Sequence, residues 1–257
     1  MSLPLIVNNS LFWNYKGTIL SSWYLCGDGS TADMRKAHLE WCGKYGCDTV
    51  VLCMNNEDIM SLFRDGYMRT FDDNKVNIFA EYIFQIHSLG GKVVLAFFDG
   101  PAIPNGKYHP ILECMDRHEA FIKIVVTACN PYVAAYLIGC ETNRYFSTEI
   151  VEAAIAITKQ YCGDKPVGTH EQWNPDARRW ASNADFICYE TRNHPKDGDS
   201  RSAMDFVNEI KGIQAKLPPG YPVWVCEWNW NAASATSRAQ ARAMAALPGV
   251  VGIGGPF

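Results

Sequence analysis

The chain has no run of basic residues and no Lys/Arg cluster. Its 23 basic residues stand against 27 acidic ones, giving a net charge of −4 and a sequence pI of about 5.9. A nucleic-acid partner calls for a positive stripe or patch, so none is expected. No apolar stretch approaches the roughly 18–20 residues that span a bilayer, so no membrane partner is expected either. The opening MSLPLIVNNSLFW lacks the basic n-region of a secretory signal. There is also no linker-like Pro/Gly/Ser stretch, low-complexity tract or charge block, so residues 1–257 are expected to form a single domain.

Zinc-type cysteine spacing is missing as well. There are ten cysteines but no CxxC, and no second pair follows Cys42 and Cys47. Several sit in apolar runs (VVLC, LIGC, FIC, VWVC), where cysteine acts as a small buried hydrophobe. They read as free thiols, which leans towards a reducing, cytoplasmic compartment. Common catalytic signatures are absent: no GxSxG, Walker loop or GxGxxG. HEQWN, opened by His170, lacks the second histidine of a zinc protease, and no lysine stands at a strand end for Schiff-base chemistry. No helix N-terminus follows Gly252–Gly255 to hold a phosphate. No cofactor and no metal are expected.

What is present is a repeated pattern of short apolar run, polar loop and amphipathic segment. Strands are predicted at 18–25, 48–54, 92–98, 134–140, 166–170, 185–189, 222–227 and 249–253. LFWNYKG, ahead of the first, reads as a strand-and-turn lead-in. Helices are predicted at 31–45, 74–89, 117–129 and 147–161, after Asn174-Pro175, after the capping-box pattern Ser202-Ala203-Met204-Asp205, and at 235–246. Continuous apolar runs suit parallel strands buried on both faces, and βα alternation implies a parallel α/β sheet. Eight such units in 257 residues favour a (β/α)8 TIM barrel, with the last helix missing from the pattern, over an open α/β sheet.

Barrel sites form at the C-terminal ends of the strands. Those positions supply Trp23, Asp99, Glu141, Asn143, His170, Trp173, Tyr189, Glu190, Glu227, Trp228 and Trp230. Two acids amid aromatics and amides suit a sugar: ring faces cover its C–H surface, and polar groups hold its hydroxyls. Glycoside hydrolysis needs two carboxyl groups flanking the bond.

LIGCETNRY and VWVCEWNW resemble the fourth- and seventh-strand motifs of the clan A, cellulase-like glycoside hydrolases. The opening LFWNYKGTIL is also similar to the start of such barrels. The resemblance implies Glu141 as acid/base, Glu227 as nucleophile, and Tyr189 as a hydrogen-bond partner of the nucleophile. One position departs from the family: Cys140 stands where asparagine usually precedes the acid/base. The expected function is retaining hydrolysis of O-glycosidic bonds in an oligosaccharide or polysaccharide. Trp23, Asp99, Asn143, His170, Trp173, Tyr189, Trp228 and Trp230 are the expected substrate contacts. A non-catalytic carbohydrate-binding barrel is the alternative, since the same aromatics would serve it.

Overall fold

A computed structural model of the chain describes residues 10–15, 47–54, 59, 62–64, 69–98, 117–139, 142, 146–171, 183–191, 200–228 and 234–255. Of residues 10–15, 47, 48, 50, 53, 227 and 255 it describes the backbone alone.

Seven apolar runs form a curled, all-parallel sheet: β2 (Cys47–Cys53), β3 (Lys92–Phe97), β4 (Val133–Ile138), β5 (Val167–Glu171), β6 (Phe186–Glu190), β7 (Val223–Glu227) and β8 (Val250–Gly255). The segment Ser10–Tyr15, here β1, pairs parallel with both edges of this sheet. Trp13 lies opposite Val50 on one side and Gly255 on the other, closing a ring in strict chain order. This corrects the sequence reading of the first strand. LFWNY, taken as a lead-in, is itself the strand, while 18–25 lies outside the described residues. So do the helices expected at 31–45 and after Asn174-Pro175.

Five helices are described: α1 (Asp73–Ser88), α2 (His118–Cys129), α3 (Thr148–Cys162), α4 (Ala203–Gln214) and α5 (Ala235–Ala245). Four of the five starts carry a side-chain cap, α2 being the exception. The side chains of Asp72, Ser147 and Ser234 accept from the first-turn N–H groups of Lys75, Ile150 and Ser237. Ser202 and Asp205 cap α4 reciprocally, as their spacing predicted. On α1, Val76, Phe79, Ile83 and Ile86 recur at helical spacing and are buried against the sheet. No helix among the described residues is long and apolar enough to cross a membrane.

Strand alternation divides the buried residues into two layers. Val93, Leu95, Tyr136, Ile138, Ile187 and Val225 face the helices. Val94, Ala96, Leu137, Phe186, Cys188, Trp224 and Cys226 fill the ring. Phe186 and Trp224, their rings 5.9 Å apart, plug its lower part. Glycines make room for them: a Cβ at Gly168 would meet the Phe186 ring at 2.6 Å, and one at Gly252 would strike the Trp224 indole. The interior is therefore packed below the strand ends, which leaves the C-terminal rim as the place for a site.

Candidate active site

Two residues of positive φ follow strands directly at that rim. Phe98, one residue past β3, holds φ 61°, the one positive φ of a non-glycine among the described residues. Strand alternation would send consecutive side chains to opposite faces. Phe97 and Phe98 nevertheless both join the helix-side core, Phe98 packing 5.6 Å from the His118 ring and 5.5 Å from the Phe121 ring. The left-handed residue turns a large ring away from the mouth, at a strain of about 1–3 kcal/mol. Gly139, one residue past β4, holds φ 72° and donates its N–H to the Phe97 carbonyl at 2.6 Å. A Cβ there would meet Thr142 Cγ2 at 2.6 Å and the Phe146 ring at 3.0 Å.

Thr142 ties the segment after β4 to the end of β5. Its hydroxyl lies 2.8 Å from the His170 carbonyl and 3.0 Å from Glu171 Oε1, both acceptors. Glu141 is bracketed by the described residues Gly139 and Thr142 but lies outside them, as do Trp23, Asp99, Asn143, Trp173 and Trp230.

The backbone of Glu227 ends β7 and is paired with Glu190 at the end of β6, across a register shift that begins after Tyr189. Glu190 and Glu171 are both fully buried at the same end of the ring. Alternation from Phe186 and Cys188 turns Glu190 inward. Sequence reasoning set Glu190 aside, although the two-residue period of FICYE carried the signal. Thr142 and Glu171 were missed because no spacing joins residues on different strands.

Two expected substrate contacts, Tyr189 and Trp228, are buried against the helices. Tyr189 is 1% exposed and faces the helices, with its hydroxyl donating to Glu209 Oε1 of α4 at 2.8 Å. Glu209 is held from the other side by Arg201, at 2.6 Å. Tyr189 shares this helix-side face with Ile187, whereas Cys188 faces the ring; the side chain of Glu227, its expected partner, lies outside what is described. Trp228 is 2% exposed; its indole N–H donates to the Gly254 carbonyl, and its ring meets Phe206 of α4 edge-on at 5.9 Å. It packs the wall of the ring and offers no open face to a sugar. His170 does lie inside the ring, buried, beside Cys188 and Cys226.

Solved structures of clan A glycoside hydrolases share the fold of this parallel ring. One from Streptomyces cattleya, a GH5_18 protein in complex with GlcNAc, aligns with a TM-score of 0.73 at 13% identity, over 97% of this chain and 70% of its own. A GH5_18 protein from Bifidobacterium longum subsp. infantis aligns with a TM-score of 0.66 at 12% identity, over 97% and 69%. A GH113 β-1,4-mannanase aligns with a TM-score of 0.58 at 13% identity, over 98% and 87%. At such identities the likeness is one of fold. No protein-family model matches the chain, and no curated protein does.

Proposed function

We propose that residues 1–257 form one (β/α)8-barrel domain that hydrolyses O-glycosidic bonds with retention, with Glu227 as nucleophile and Glu141 as acid/base. The observation that carries this reading is the position of Glu227, at the C-terminal end of β7 in a ring whose solved likenesses are glycoside hydrolases. Glu141 follows β4, where Gly139 and Thr142 fix the chain on either side.

In this mechanism the Glu227 carboxylate attacks the anomeric carbon while Glu141 protonates the leaving oxygen. Glu141 then deprotonates the water that releases the sugar. Retention requires the two carboxyl groups to stand about 5–5.5 Å apart. The acid step requires Glu141 to be protonated before attack. His170, Asp99, Asn143, Trp23, Trp173 and Trp230 are the proposed substrate contacts. An oligosaccharide or polysaccharide is the proposed substrate. The solved neighbours include an exo-β-1,4-mannosidase and a β-1,4-mannanase, so β-mannosides head the substrates to try.

The test is hydrolysis of a panel of aryl β-glycosides and β-linked polysaccharides by the wild type beside Glu227→Gln. Turnover by the wild type that falls at least about a thousandfold in a folded Glu227→Gln variant supports the reading; removing one essential catalytic group costs on that order. Full activity in the variant would sink it. Sugar binding without turnover on any substrate would favour the non-catalytic barrel.

A further inference from the structure

The catalytic reading gives no role to Cys188 and Cys226, which cluster with His170 beneath the rim; a ligand role there would replace the substrate contact proposed above for His170. His170, Cys188 and Cys226 come from β5, β6 and β7 and are each at most 2% exposed. One ligand-type atom from each lies within 4.8 Å of the other two. The strand register produces this convergence. His170 stands directly opposite Cys188, Cys188 is opposite Trp224, and Cys226 follows two residues on, on the same inward face. Below the cluster lies the Phe186–Trp224 plug.

We propose that His170, Cys188 and Cys226 form a binding site for a zinc-class metal ion inside the ring. Two thiolates and one imidazole are the donor set that borderline and soft ions such as Zn2+ prefer over hard ones. With bonds of about 2.0–2.3 Å, a tetrahedral ion needs its ligand atoms roughly 3.3–3.8 Å apart. Side-chain adjustments of about 1 Å reach that spacing from the present one. Binding releases the two thiol protons and forms two metal–sulfur bonds and one metal–nitrogen bond, with no change of oxidation state. Three protein ligands leave the fourth position of a tetrahedral ion to a small molecule, as in open zinc sites. The buried thiols of Cys129 and Cys162 stand apart from this set. Both pack in the helix-side core, on the other face of the sheet from the cluster.

The experiment adds Co2+ to the reduced, chelator-treated full chain and follows the near-ultraviolet thiolate-to-cobalt charge-transfer band. One equivalent bound, with the band displaced by Zn2+, is expected for the wild type and for Cys129→Ala. Cys188→Ala and Cys226→Ala should each weaken binding by at least about tenfold, since even second-shell changes at metal sites cost that much. Circular dichroism reports whether each variant is folded. A rise in the wild type's unfolding temperature with Zn2+ tests the site without any variant. The proposal is overturned if the wild type gives no band and no thermal shift, or if the band persists undiminished in the folded Cys188→Ala and Cys226→Ala chains. None of these readouts involves hydrolysis, so the result stands apart from that of the glycosidase assay.

Discussion

Gly139 sits two residues before the proposed acid/base, at a φ of 72° and with no room for a Cβ. An alanine there is strained twice, by backbone conformation and by collision with Thr142. Gly139→Ala should lose about 1–3 kcal/mol of stability in urea unfolding. It should also lower turnover more than its stability loss explains, because Thr142 anchors the same segment to β5. Tyr189 makes the opposite case. With its hydroxyl on Glu209 between β6 and α4, Tyr189→Phe should cost about 1 kcal/mol of stability and leave kcat within about twofold. A large loss of kcat with stability unchanged would return Tyr189 to the site.

Among the elements, α4 shows how a short sequence signal sets both an end and a pH response. The Ser202 hydroxyl and N–H each lie 2.8 Å from Asp205 Oδ2, and together they hold the carboxyl below its ordinary value of 3.8. A depressed folded pKa means the contribution is fully present above the unfolded value and is lost as pH falls through the folded one. Ser202→Ala should therefore lower stability near neutrality. The gap between it and the wild type should narrow as pH drops below the ordinary aspartate range, as denaturant melts at several pH values would show. The capping box was legible because its chemistry is local. β2 through β8 were legible because strands buried on both faces leave continuous apolar runs. β1 was not, since Asn14 interrupts its run and the polar stretch NNS precedes it. The helix-side face of Tyr189 follows from the two-residue period of FICYE, whereas that of Trp228 depends on a register shift between β6 and β7 that leaves no trace in sequence. His170, Cys188 and Cys226 come together only through the pairing of three strands.

At the scale of the whole molecule, β1 closes the sheet. Without Ser10–Tyr15, the outer edges of β2 and β8 would present unpaired N–H and C=O groups, and open edges promote misassociation. A chain lacking residues 1–16 should lose its cooperative unfolding transition or aggregate. A truncated chain that melts like the full one would show that closure contributes little. The same ring sets β4 and β7 apart around the barrel and brings their C-terminal ends to one rim, where the two glutamates would work on a sugar from two sides. Azide rescue tests that central claim most directly, read as the anomeric configuration of the glycosyl azide formed from an activated aryl β-glycoside. Azide should restore turnover to Glu227→Ala and yield the inverted α-azide, and to Glu141→Ala and yield the retained β-azide. Folded variants that keep full activity without azide, or that give the same anomer from both, would contradict the assigned pair.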